Sequence, residues 1–139
     1  MKKIVIDTNI LISFITDRDP AQQKMASDLF NNASQLKYLI LCPQNVLTEF
    51  VFVMDKVYGV SAGKINEIII DFISMPGIEI IHDLDLPQVF SYWPEYFKDF
   101  GDAVVASVCK DIKGTAVATF DRKFKNALKK TKLEIHTFV

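Results

Sequence analysis

Lys3-Ile4-Val5-Ile6 runs without a break into Asp7-Thr8-Asn9-Ile10-Leu11-Ile12. Apolar residues at consecutive positions over so short a span read as a strand covered on both faces. Asp7 then stands where a helix N-cap belongs, since its side-chain oxygen can accept an otherwise unpaired N–H of the first turn. The segment predicts a strand over Lys3–Ile6 and a helix from Thr8 to about Thr16. A buried strand followed at once by a helix opens an alternating α/β chain.

The alternation continues outward from there. Pro20 starts a second helix that runs to about Asn32, and Tyr38 to Cys42 forms the second strand. Pro43 opens a helix to about Tyr58, stopped by Gly59. Ser61 caps the next helix, whose Ile65, Ile68, Ile69, Phe72 and Ile73 follow amphipathic spacing, and Pro76-Gly77 ends it. Ile78 to Ile81 is a third strand, and Leu86 to about Phe97 a helix. Asp102 to about Lys113 is an apolar helix ended by Gly114. Thr115 to Thr119 is the fourth strand, Arg122 to Lys130 a short basic helix, and Glu134 to Phe138 a last strand. The expectation is one domain, residues 1–139, with a parallel sheet between helices on both faces. The order of strands in that sheet is not readable from the pattern.

A chain of 139 residues is long enough to bury its own core. Its net charge of −1 excludes a uniformly basic nucleic-acid coat but leaves room for a local basic patch. Cys42 and Cys109 lie in apolar stretches without metal-site spacing and read as reduced core residues. No signal-peptide pattern precedes the first strand, and no apolar run approaches the roughly 20 residues of a membrane span. The expected location is the cytoplasm, with no membrane partner.

Four carboxylates stand out because each is set in apolar sequence: Asp7, Glu49, Asp102 and Asp121. Asp7 and Asp121 follow strands, where an open parallel sheet presents side chains to its ligand crevice. Both are also suited to cap the helix that follows, and the two roles are compatible because a cap uses one oxygen. Glu49 falls about 40° beyond the apolar arc of its helix at about 100° per residue, which places it at the border of the core. Asp99 and Asp102 both precede an apolar helix, and one of them caps it. Acids gathered in one crevice repel each other, and a hard divalent cation held by oxygen ligands is the usual remedy. The reading is a small metal-dependent enzyme acting on phosphate esters. Arg122, Lys123, Lys125, Lys129, Lys130 and Lys132 form a basic run beside Asp121, either a solvated helix face or a phosphate contact.

With these residues in view, the chain resembles the PIN-domain nucleases. Ile4-Val5-Ile6-Asp7-Thr8-Asn9 looks like that family's opening strand and acid, and Thr48-Glu49-Phe50 like its glutamate motif. Asp99-Phe100-Gly101-Asp102-Ala103 resembles its third acidic motif, with Gly101 where Ala is frequent. Ala118-Thr119-Phe120-Asp121-Arg122-Lys123 resembles its last. The resemblance implies a three-layer α/β/α fold and one acidic pocket built from Asp7, Glu49, Asp102 and Asp121. It implies Mg²⁺ or Mn²⁺ as cofactor and hydrolysis of RNA phosphodiesters. Thr8, Asn9, Asp99 and Thr119 are candidates to orient the acids, and Arg122 and Lys123 to hold substrate. Among PIN-domain proteins the short form looks most like the VapC-type toxins of prokaryotic toxin–antitoxin pairs. That likeness implies a homodimer and a small antitoxin partner. An RNA-binding or RNA-processing module that is not a toxin stays open as the alternative. A haloacid-dehalogenase-type phosphatase is disfavoured, since Asn9 occupies the place of the second Asp such chemistry needs.

Overall fold

The computed structural model describes residues 1–138; Val139, the end of the expected domain, lies outside the described residues. Strand β1 spans Lys2–Ile6 and its Ile4, Val5 and Ile6 have no solvent exposure. Helix α1, Thr8–Ile15, follows directly, and α2 spans Pro20–Ser34. Next come β2 (Tyr38–Pro43), α3 (Gln44–Lys56), α4 (Ala62–Ile73) and β3 (Ile78–Ile81). Then follow α5 (Leu86–Tyr92), α6 (Phe100–Asp111), β4 (Thr115–Ala118), α7 (Arg122–Leu128) and β5 (Glu134–Ile135).

All pairings are parallel and the order is β3-β2-β1-β4-β5. From β1 the chain steps outward through β2 to β3, then crosses back to place β4 on the other side of β1. Right-handed crossovers put helices on opposite faces for steps in opposite directions. Helix α6, in the returning crossover, packs across β1, β2 and β4. The core includes Phe30, Phe50, Phe72, Phe97 and Phe124, all essentially inaccessible. The strand order reverses between β1 and β4, and the crevice beyond their C-terminal ends is where such sheets take ligands.

Several expected boundaries move, each for a local reason. The helix expected over Leu86–Phe97 stops at Tyr92, because Pro94 forces Trp93 into extended backbone. Helix α6 begins two residues earlier than expected, since Asp99 rather than Asp102 is its cap and accepts the Asp102 N–H at 3.0 Å. The last strand holds only Glu134 and Ile135, paired to the edge of β4. In α3 the buried arc is narrower than expected. Of the arc that helical spacing predicts, Val46, Leu47, Phe50, Val51, Val53, Met54 and Val57, only Val46, Phe50 and Met54 are fully covered, whereas Val51 and, just beyond the helix, Val57 are exposed. No helix among the described residues is long and apolar enough to cross a membrane.

Candidate active site

The register of β1 on β4 places Ile6 beside Ala118, so Asp7 and Thr119 leave the sheet side by side. Asp7 is 8% exposed and its carboxylate is held at both oxygens. Oδ1 accepts the Thr8 N–H at 2.8 Å, which caps α1. Oδ2 accepts the Thr119 hydroxyl at 2.9 Å and the Asn9 amide at 3.3 Å. Thr119 Oγ1 in turn accepts the Asp121 N–H at 3.0 Å, and Asn9 Oδ1 accepts the Phe120 N–H at 3.2 Å. Two strand ends are thus laced together around one buried acid.

The other acids reach the same place from different elements. Asp121 caps α7 through Oδ1, which accepts from Lys123 N at 2.8 Å and Phe124 N at 3.2 Å, leaving Oδ2 free of these bonds. Glu49 lies on α3 and its Oε2 accepts the Thr8 hydroxyl at 2.8 Å. Its position departs from the expected core border. The residue is exposed, and the exposure is toward the cleft. Gly101 keeps this corner open, because a Cβ there would stand 3.1 Å from Asp99 Oδ1 and 3.8 Å from Glu49 Oε2. Asp102, in the first turn of α6, has no hydrogen-bond donor on its carboxylate among the described residues.

Together Asp7, Glu49, Asp99, Asp102 and Asp121 line one cleft of about 940 Å³. Among the described residues no Lys, Arg or His side-chain nitrogen lies within 4 Å of any of them. The charge shows in the titration of the two most enclosed. Burial pushes the Asp102 carboxyl up to about 8, with repulsion from Asp7, Asp99, Asp121 and Glu49 adding to it. Burial likewise pushes Asp7 up to about 6, against the hydrogen bonds from Thr119 and Thr8 that pull it down.

A PIN domain family model matches residues 4–130. The chain belongs to the PIN domain family. The fold is similar to that of a solved structure, the crystal structure of VapBC2 from Rickettsia felis bound to a DNA fragment from their promoter. The match has a TM-score of 0.64 at 15% identity and covers 99% of both chains. No curated protein matches this PIN chain in sequence.

The candidates read from sequence distribute unevenly in this PIN domain. Thr8, Asn9, Asp99 and Lys123 line the cleft with the acids, while Thr119 is buried behind Asp7. Arg122 is absent from the lining. The face of α7 toward the cleft carries Lys123, Asn126 and Ala127, continued by Lys130, at helical spacing that leaves Arg122 about 100° away. Arg18, Gln22 and Lys98 also line the cleft and carried no motif that would single them out. Arg18 and Lys98 sit in connecting segments, where periodicity says nothing about direction, and Gln22 lies in the first turn of α2.

Proposed function

We propose that residues 1–139 form one metal-dependent ribonuclease domain that hydrolyses RNA phosphodiester bonds. The observation that carries this reading is the set of carboxylates at the reversal of strand order, with no cationic side chain within 4 Å of them among the described residues. Asp7 and Asp102, both raised by burial, resist ionisation until a positive charge arrives, which is the chemistry of an ion site. The donor set is all oxygen, which suits Mg²⁺ or Mn²⁺. Among the described residues no three His, Cys, Asp or Glu side chains draw together tightly enough to enclose an ion unaided.

Asp7 and Asp102 would hold the ion, with Asp121 Oδ2 and Glu49 reaching it directly or through water. When bound, it supplies a water of lowered pKa and neutralises charge on the phosphoryl oxygen. Glu49 is placed to orient the attacking water or take its proton, and Thr8 fixes the Glu49 carboxylate for either task. Lys123 on α7, with Arg122 one residue away on the same short helix, supplies positive charge for the RNA backbone. Thr119 sets the direction of Asp7 and, through its other bond, of the Asp121 backbone.

Thr119→Val is expected to slow cleavage about 10- to 100-fold, since partners that orient ligating carboxylates matter on that scale. It also raises the Asp7 pKa, because the Thr119 hydrogen bond is the largest influence holding it down. Steady-state rates across pH check both, and an unchanged profile would remove Thr119 from the site.

We further read the chain as the cytoplasmic toxin of a toxin–antitoxin pair, a homodimer silenced by a small antitoxin protein. The PIN family membership and the shared fold with VapBC2 support this reading. Exposed Phe52 and Val57 on and beside α3, and Ile70 and Ile73 on α4, supply apolar surface for a partner. The test of function is incubation of the partner-free protein with a mixed structured and single-stranded RNA pool. Cutting is expected with Mg²⁺ or Mn²⁺ and none with EDTA. Cutting that persists in EDTA sinks the metal-dependent mechanism, and folded protein that cuts nothing sinks the nuclease reading.

A further inference from the structure

Arg18 sits in the segment between α1 and α2 and lines the cleft that holds the acids. Its guanidinium is held from behind. Nε and Nη2 donate to the Ser13 hydroxyl oxygen at 3.3 and 3.1 Å, and Nη2 also reaches the Asn9 carbonyl at 3.5 Å. Ser13 has no solvent exposure, and its own proton goes to Gln22 Oε1 at 3.1 Å. The serine oxygen is therefore oriented as an acceptor toward the arginine. Nη1 has no acceptor among the described residues. No carboxylate lies within 4 Å of the group, although Asp17 and Asp19 flank it in sequence and the cleft is lined with acids. Asp19 is instead occupied in capping α2. A guanidinium anchored along one edge and open along the other is arranged to accept an anion with geometric selectivity. Lys98, Lys123 and Lys130, also on the cleft and with no carboxylate within 4 Å of their ammonium groups among the described residues, mark the rest of a cationic rim.

We propose that Arg18, oriented by Ser13, forms a phosphate subsite on the α1–α2 side of the cleft for one backbone phosphate of the RNA flanking the scissile one. The proposal rests on the ribonuclease reading above. Ser13 is a positioning residue in this scheme, acting through Arg18. The subsite contributes binding rather than chemistry, so its removal acts on KM.

The test uses the full chain with Mg²⁺ or Mn²⁺ and a short RNA that the wild type cuts at one place. Arg18→Met is expected to raise KM about tenfold with kcat little changed and thermal stability retained. It should also lower the slope of log KM against log salt by about 0.7, the share of one phosphate contact on a single strand. Arg18→Lys restores part of the loss, and Ser13→Ala gives an intermediate KM. The position is then read with substrates carrying one methylphosphonate, on a 2′-deoxy nucleotide, at each flanking linkage in turn. One linkage should weaken the wild type about as much as Arg18→Met does and leave that variant indifferent. An unchanged KM and salt slope in Arg18→Met would overturn the subsite. So would a loss independent of which linkage is neutralised, since a brace for the loop acts on every substrate alike. If the wild type cuts no RNA, the ribonuclease reading fails and the subsite with it, a result separate from either of these.

Discussion

Asp7→Asn is expected to lose RNA cleavage by at least about a hundredfold while keeping its fold. The side chain stays the same size, and its remaining carbonyl oxygen still accepts the Thr8 N–H that caps α1. What goes is the negative charge at the centre of the cleft and the second acceptor oxygen, now engaged by Thr119 and Asn9. A neutral amide at a buried position also relieves the cost of desolvation that pushes Asp7 up to about 6, so no unfolding is expected from the change itself. The decisive comparison is the single-turnover rate of wild type and variant with Mg²⁺ and with Mn²⁺, beside melting curves of both. A variant that cuts at the wild-type rate takes Asp7 out of the chemistry.

Asp102→Asn is expected to stabilise the metal-free protein at pH 8 while abolishing cleavage. The Asp102 carboxyl titrates near 8 in the folded chain and near 3.9 when unfolded. Between those values the folded state retains a proton that the unfolded state gives up. Stability of the metal-free protein therefore falls as pH rises from about 4 to about 8. Asp7 adds a contribution of the same sign between about 4 and about 6. Asn at 102 has no proton to lose, so its advantage is absent at pH 4 and full above pH 8. Allowing for solvent screening of a cleft group, that advantage is on the order of 2 kcal/mol, or several degrees in Tm. Added Mg²⁺ or Mn²⁺ reverses the ranking, because an ion that binds only the folded wild type stabilises it by linkage. Equal melting temperatures at pH 8 in EDTA would show that the acids do not strain the fold. A destabilisation paid back by ligand is the usual trade at a working site.

Much of the architecture was legible because it is locally encoded. The unbroken apolar runs Ile4-Val5-Ile6 and Ala116-Val117-Ala118 announce strands buried on both faces, and the structure leaves them without exposure. Capping is equally local. Asp7, Asp121 and Ser61 each bond an N–H within three residues, so the helix starts at Thr8, Arg122 and Ala62 follow from neighbours in sequence. Where two local signals competed, the tertiary structure decided the outcome. Asp99 and Asp102 are both fit to cap α6, and only backbone geometry shows that Asp99 does so. The same holds for Leu86–Phe97, where Pro94 ends the helix at Tyr92.

The sequence by itself determined that this chain alternates buried strands with helices and sets acids at their junctions, because periodicity and capping act over a few residues. Only the tertiary structure decided that β4 returns to the far side of β1, which sets Thr119 against Asp7 from 112 residues away. It turned Glu49 outward into the cleft rather than along the core, chose Lys123 over Arg122 for the lining, and brought Arg18 to the rim. Those outcomes depend on the register of strands and the packing of helices across the sheet, interactions between residues that no short stretch of sequence contains.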